Sequence, residues 1–346
     1  MIWYIPLEPL EERYTAQMYQ WVVDGFNRAG LEFYAVCGES LSSNIRQGEV
    51  LDAIGTNYYK AAQLQGICRI FDDGQVQNGD IFFVADLWFP GIEMIRYMAA
   101  QLGIDVKIAG IHYAGVFDPN DFTHKMRRWA QHNERGWLTL ADYVFVGSEY
   151  HKKLLGDWTG LANIYATGLV WDHETISSNV IDKEPVIIFP HRLDAEKCPH
   201  VFFDLVKRIK EIRPEVEGLI TSSRKELASN IPRFHIPDYI NVKVGLTKQQ
   251  YYDELARSRV FFSSAQQETF GYALNEALAL GCIPICPRRL NYIEVLEGND
   301  SLLYNTFEDA VGKILAALDS ETTYIPYTAK YSKSIDVMFG IILEQK

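Results

Sequence analysis

The sequence has no cysteine framework, no long apolar run and no net positive charge, and each absence removes a class of protein. Five cysteines in 346 residues, without framework spacing, exclude a small disulfide-stapled scaffold. Cys282 and Cys286 flank "IPI", an apolar run in which thiols act as small hydrophobes. A reduced, cytoplasmic protein is the expectation. No apolar run approaches the roughly 20 residues of a membrane span. The opening "MIWYIPLEPLEERYT" carries no basic segment ahead of its apolar residues, so no signal peptide is expected. With 33 Lys and Arg against 45 Asp and Glu, the formal net charge is −12. That argues against indiscriminate nucleic-acid binding while leaving room for a local basic groove. Glycine is also missing from the stretch after the first apolar run, "IPLEPLEERYT".

The chain is 48% hydrophobic and 23% charged, the composition of an ordinary globular enzyme. Its length exceeds what one core comfortably holds, so two domains are the default. Short β-branched or aromatic runs alternate with helical stretches, the pattern of α/β layers on parallel sheets. Strands are expected at "IWYI", "EFYAV", "DIFFVAD", "DVKIAGIH" and "YVFVGS", with helices near 14–29, 56–66, 90–102, 123–140 and 149–156. The second half restarts with "PVIIFP", "VEGLI", "INVKVG", "VFFSS" and "CIPIC", with helices near 199–212, 247–257, 270–280 and 306–318. These two sets predict an α/β fold of two Rossmann-like domains facing a central cleft. The expected division is 1–168, a polar linker 169–184, 185–325, and an amphipathic C-terminal helix, 326–346, packing back on the first domain. In open parallel sheets, ligands bind at the carboxyl ends of strands.

Several features fall at such ends. "FPHRLDAEK" places Arg192 and Lys197 after a strand, where a guanidinium fork and an ammonium suit a diphosphate. The same spacing describes a solvated turn. Gly245 after "NVKV" permits close backbone approach of a planar ligand, while Thr247 reads as a helix N-cap. "QQETFGYALNEALALG" opens a helix on Glu268, Thr269, Phe270 and Gly271, continues through Tyr272, and carries a second carboxylate, Glu276, amid apolar residues. Amides at the helix start form an anion site. A buried carboxylate needs a partner, supplied by the protein or by a ligand. "FDDGQVQNGD" looks acidic enough for a metal, but Asp72-Asp73-Gly74 reads more simply as a turn.

The seven residues between Glu268 and Glu276, followed by "EALALGCIPI", resemble the E-x7-E signature of family 4 glycosyltransferases of the GT-B fold. Arg192, Lys197 and Gly245 stand in that family's order, and the resemblance is strongest over residues 185–300. "FPHRLDAEKCP" and "ETFGYALNEALALGCIPICPRRLNYIEV" are most similar to the enzymes that mannosylate queuosine in transfer RNA. The resemblance implies a retaining transfer from a nucleotide sugar, UDP-linked in the common case, with no metal and no further cofactor. It implies that Arg192 and Lys197 neutralise the donor diphosphate, helped by amides of Phe270, Gly271 and Tyr272. Glu268 would hold the donor sugar, and Glu276 the ribose hydroxyls.

The first half resembles the family less. The usual glycine-rich loop after the first strand is absent, and Glu8, Glu11 or Arg13 stand there instead; they either replace its contacts or cap the following helix. His112 matches the position of the family's histidine near the donor sugar, and Asp86 ends another strand; both join Glu268 as candidate catalytic residues. "DFTHKMRRWAQHNERGW" carries Lys125, Arg127, Arg128 and Trp129, a basic, aromatic stretch able to track a phosphate backbone and stack on a base. A solvated helix with its tryptophans turned to the core is the alternative. The acceptor expected first is a modified nucleic-acid base, in hydroxymethylated DNA as for small viral GT-B enzymes, or in tRNA. A glycan, lipid-linked or small-molecule acceptor is the alternative, with no membrane partner. The oligomeric state is not legible.

Overall fold

The computed structural model describes residues 1–10, 14–41, 54–180, 182–222, 235–320 and 333–344. Glu11, Arg13 and the 326–332 part of the expected C-terminal helix lie outside the described residues. The chain divides into two units, Met1–Trp171 with Tyr331–Lys346, and Asp172–Lys330.

In the first unit the described strands are β1 (Ile2–Ile5), β2 (Phe33–Ala35), β3 (Ile81–Val84), β4 (Lys107–His112), β5 (Tyr143–Val146) and β6 (Ile164–Ala166). All their pairings are parallel, in the order β2-β1-β3-β4-β5-β6. Helices α1 (Tyr14–Arg28), α2 (Gly55–Asp72), α3 (Ile92–Leu102), α4 (Arg127–Leu140) and α5 (Glu149–Thr159) connect them. Every residue of β1, β3 and β5 is buried, which explains their unbroken apolar sequences: a parallel strand covered on both faces has no solvent side to alternate with. Trp3, Phe82, Val84, Ile108 and Val144 pack with Ile67 of α2 and Ile92 and Ile95 of α3 into one continuous core.

The second unit contains β7 (Glu184–Phe189), α6 (Pro199–Lys210), β8 (Glu217–Ser222), β9 (Ile240–Val244), α7 (Lys248–Arg257), β10 (Ser258–Phe262), α8 (Tyr272–Ala279), β11 (Ile283–Pro287), α9 (Tyr292–Val295), β12 (Leu303–Tyr304) and α10 (Phe307–Asp319). Its described strands are again parallel, in the order β12-β11-β10-β7-β8-β9. Sequence order therefore reverses between β7 and β10, as it does between β1 and β3 in the first unit. Such reversals open a crevice at the carboxyl ends of the strands. The α7 start is set by Thr247, whose side chain accepts from the Gln250 amide while Gln250 returns a bond to the Thr247 amide, a reciprocal cap.

Helix α11 (Ser334–Glu344) packs in the first unit. Phe339 meets Phe26 edge-on at 4.9 Å, and a Cβ on Gly25 would stand 2.4 Å from Ile335 Cγ2, so glycine lets the helices close. Leu169, Val170 and Trp171, within the stretch expected as a polar linker, are buried. Helix α2 continues to Asp72, past its expected end near 66, and Asp73 takes the C-cap with its amide on Arg69 O and Phe71 O. Strands β6 and β12 and helix α9 escape the sequence reading because two to four residues carry too little periodicity to register.

Candidate active site

Three of the second unit's strand ends, those of β7, β9 and β10, lead into the residues singled out in the sequence. After β7, the chain turns through His191 and Arg192 into a 3-10 turn, Ala195–Lys197. Ser264, just beyond β10, donates to Lys197 O at 2.8 Å and to Cys198 O at 3.0 Å, and the Gln266 amide donates to Glu196 O at 2.7 Å. These bonds bring the two sides of the β7/β10 crevice together. Lys197, 7% exposed, donates to Gln267 O at 2.6 Å and pairs with Glu268 Oε2 at 3.4 Å. Glu268 Oε1 accepts from the amides of Gly271 at 2.9 Å and Thr269 at 3.2 Å. The carboxylate thus caps the start of α8, where the helix dipole favours negative charge. Gly271 takes φ +78°, with an added Cβ within 3.6 Å of Glu268 Cγ, so the turn that aims these amides is strained for any other residue. Phe270 is buried; its carbonyl accepts from Asn291 Nδ2 at 2.7 Å, and its ring meets Tyr272 edge-on at 5.0 Å.

Arg192 differs from Lys197. Its guanidinium is exposed and pairs with Asp194 at 3.0 Å and Glu196 at 3.3 Å. Surface pairs of this kind contribute little, so the fork is available to an anion. Gly245 follows β9 at φ +66°.

Glu276 is fully buried, and its charge is answered within the protein. Lys248 Nζ reaches Oε1 at 2.5 Å, Tyr251 donates to Oε2 at 2.9 Å, and Tyr252 to Oε1 at 3.4 Å. The Lys248 ammonium also lies 5.1 and 5.0 Å from the Tyr251 and Tyr252 ring centres. Burial outweighs the attraction of Glu276 and holds the Lys248 pKa below the ordinary lysine value. Protein groups therefore partner both carboxylates of the α8 segment, and any ligand hydroxyl at Glu276 must take the place of Lys248 or Tyr251.

In the first unit, His112 ends β4 fully buried. Its Nε2 meets Glu134 Oε1 at 2.8 Å, and Nδ1 meets His151 Nε2 at 3.2 Å. Glu134 Oε2 accepts from the Val116 amide at 3.0 Å. His112 presents no ring atom to solvent here. Burial, with His112 beside it, holds the His151 pKa well below its ordinary value. Asp86 lies two residues past β3, accepting from the Trp88 amide at 3.1 Å and facing Lys60 at 3.8 Å.

The basic stretch folds as a 3-10 turn, Phe122–Met126, running into α4. Lys125, Arg127 and Arg128 are exposed, and Trp129 is 56% exposed. Trp137 instead turns inward, donating to Glu93 at 2.9 Å and meeting Trp88 edge-on. One tryptophan thus packs and the other faces water. The α4 start has no side-chain cap and no acid in its first turn, so two arginines occupy the end of the dipole that disfavours cations. Among the described residues, no group of three His, Cys, Asp or Glu side chains could hold a metal ion, and no helix is long and apolar enough to cross a membrane.

Two features of the site were not singled out from the sequence. His191 is 7% exposed, its Nε2 has no hydrogen-bond partner among the described residues, and its ring packs edge-on to Phe189 and Phe261. Burial, Lys197 and Arg192 all hold its pKa well below the ordinary value. Its place beside Arg192 at a strand end was the available signal. Lys248, Tyr251 and Tyr252 close over Glu276 from the first turns of α7; their spacing in "TKQQYYDELA" is visible, but their shared target is not.

The two-sheet α/β architecture is that of the GT-B glycosyltransferases. Sucrose-phosphate synthase from Thermosynechococcus elongatus superposes with a TM-score of 0.68 at 12% identity, covering 99% of this chain and 98% of that one. The UDP-forming α,α-trehalose-phosphate synthase from Burkholderia vietnamiensis gives 0.61 at 11% identity, covering 100% and 98%. Within this fold, residues 172–333, which span the described second unit, are similar to the family model "Glycosyl transferases group 1". The chain is also 30% identical over 125 residues to the tRNA-queuosine alpha-mannosyltransferase of Drosophila melanogaster; the alignment covers 35% of this chain and about a third of that protein, 32%.

Proposed function

We propose that the protein is a retaining glycosyltransferase that moves a sugar from a nucleotide sugar, UDP-linked in the first instance, to a hydroxyl on a modified nucleic-acid base. The observation that carries the donor half is the convergence of Arg192, Lys197 and the α8 amides at the β7/β10 reversal. Such a set of cations and helix-end amides stabilises charge as it develops on a departing diphosphate. Glu268 keeps an exposed edge, 19% of its side chain, with which to accept hydroxyls of the donor sugar. Glu276 takes the ribose hydroxyls once Lys248 swings aside. Asp86 and the His112–Glu134 pair belong to the acceptor side in this scheme, His112 acting by positioning the loop that follows β4.

The nucleic-acid half rests on Trp129. Trp129 stands in water beside Arg127 and Arg128, two cations at a helix start that disfavours them, on a protein of net charge −12. It gains a purpose if a base stacks on it while the arginines neutralise phosphates. A base inside a duplex would have to be extruded. Partial identity with a tRNA-modifying enzyme supports RNA over DNA as the first acceptor to try.

The test is a transfer assay with radiolabelled nucleotide sugars, offering bulk tRNA, hydroxymethylated DNA and simple glycans in parallel. Label on a polynucleotide is expected. Label only on glycans would overturn the acceptor assignment and leave the donor site standing.

A further inference from the structure

The first unit has its own reversal of strand order, between β1 and β3, and the carboxyl ends of these strands enclose a cavity of about 20 Å³. Glu8, Thr56, Tyr59, Lys60, Gln63 and Asp86 contribute its polar lining. Glu8 comes from the proline-flanked stretch that stands where a glycine-rich loop was expected. It is 7% exposed, and its Oε1 is buried with no hydrogen-bond partner among the described residues. The neighbouring groups do not answer it. Gln63 Nε2 is committed to Pro6 O at 2.8 Å and Val36 O at 3.0 Å, tying the ends of β1 and β2 together as a wall. Lys60 donates to Trp88 O and faces Asp86.

A carboxylate oxygen held away from water without a donor is costly, and nothing in the packing is gained by it. We propose that Glu8, together with Asp86, forms a hydroxyl-binding subsite that seats the polyol end of the acceptor. The inference deepens the glycosyltransferase reading and rests on it for the word acceptor.

Charge and size select the ligand. Glycine-loop amides would donate to a phosphate; Glu8 offers only lone pairs. With two carboxylates against one lysine, the cavity repels anions and attracts O–H donors. Its volume admits a water-sized group, so a single hydroxyl enters while the rest of the acceptor stays outside. Burial holds the Tyr59 phenol above its ordinary pKa, so it lines the cavity as a neutral hydroxyl.

The experiment uses glycerol and methyl α-glucoside as hydroxyl probes and inorganic phosphate as the contrast, followed by saturation-transfer NMR on the full chain. Wild type, Glu8→Gln, Glu8→Leu and Asp86→Asn are compared, with UDP affinity and melting temperature measured on each. Both polyols should bind wild type and phosphate should not. Glu8→Gln should weaken the polyols about tenfold or more, the scale of a lost hydrogen bond to a charged group, with UDP affinity unchanged. Glu8→Leu should raise the melting temperature, because a buried carboxylate oxygen without a donor is being removed. A lowered melting temperature in both Glu8 variants with unchanged polyol binding would make Glu8 structural and overturn the subsite. No polyol binding to wild type would overturn it as well. Polyol binding that depends on Glu8, in a protein that fails to bind UDP, would sink the donor assignment and keep the subsite.

Discussion

Lys248 Nζ lies 2.5 Å from Glu276 Oε1, and the two belong to opposite sides of one question: what compensates a fully buried carboxylate before a nucleotide arrives. The lysine stands where ribose hydroxyls are proposed to bind. Lys248→Met should therefore have two opposite effects. The free protein should lose roughly 2–3 kcal/mol, since one partner of a buried pair is gone. UDP should then bind more tightly and raise the melting temperature by more than in wild type, because the ligand no longer competes with an ammonium. Calorimetry with UDP beside thermal melting reads both. If stability and UDP affinity fell together, Lys248 would itself be a ligand contact and the displacement idea would be wrong.

Arg192 and Lys197 are five residues apart in sequence and opposite in burial. Arg192→Ala should change stability by less than about 1 kcal/mol, since only exposed ion pairs are lost. UDP affinity should drop about tenfold or more, while affinity for uridine, which lacks the diphosphate, stays put. Lys197→Ala should lower both, because the Gln267 carbonyl and Glu268 lose a buried donor. Equal losses for UDP and uridine in the Arg192 variant would remove the diphosphate assignment.

These contrasts mark how far the sequence could be read. Buried parallel strands announce themselves: "PVIIFP" and "DIFFVAD" have no solvent face, so continuous hydrophobicity locates them. The order of residues around Arg192, Lys197, Glu268 and Glu276 also pointed to the turns after β7 and β10 and to α8, where the structure places these side chains, because loops after such strands carry function. What stayed illegible was pairing in space. Glu276 was read as a buried charge in need of a partner from protein or ligand, and the residues that supply it, Lys248, Tyr251 and Tyr252, meet it across 24 to 28 residues of chain. His112 was placed by its strand end, but its burial against Glu134 and His151 depends on how α4 and α5 return to the sheet. Trp129 and Trp137 are eight residues apart in one helix, and only the fold decides which faces water.

For the basic helix, salt dependence separates function from solvation. Arg127→Ala/Arg128→Ala should weaken tRNA binding across sequences and reduce the slope of log affinity against log salt by about 1–2. Trp129→Ala should leave stability within about 0.5 kcal/mol, as for an exposed site, and weaken binding by about 1–3 kcal/mol if a base stacks there. Filter binding across a salt series measures each term. A slope indifferent to the arginines would return this helix to ordinary surface.

His151 and His191, one in each unit, are both held neutral by burial, well below their ordinary value of 6.5. In the unfolded chain each protonates near that ordinary value, so below about pH 6.5 the unfolded state binds more protons than the folded one. Stability must then rise with pH in that window and fall on acidification until the depressed folded values are reached. The limiting slope is about 1.4 kcal/mol per pH unit for each histidine. Melting temperatures taken from pH 7 down to 5 should decline in wild type. His151→Gln should flatten the decline of the first unit's transition, and His191→Gln that of the second, because glutamine cannot take up the proton. Carboxylate titration shifts wild type and variant alike in this range, so the difference between them isolates the imidazole. A variant curve parallel to wild type would mean that the histidine is already charged in the fold, which would require Glu134 or another acid to stabilise it.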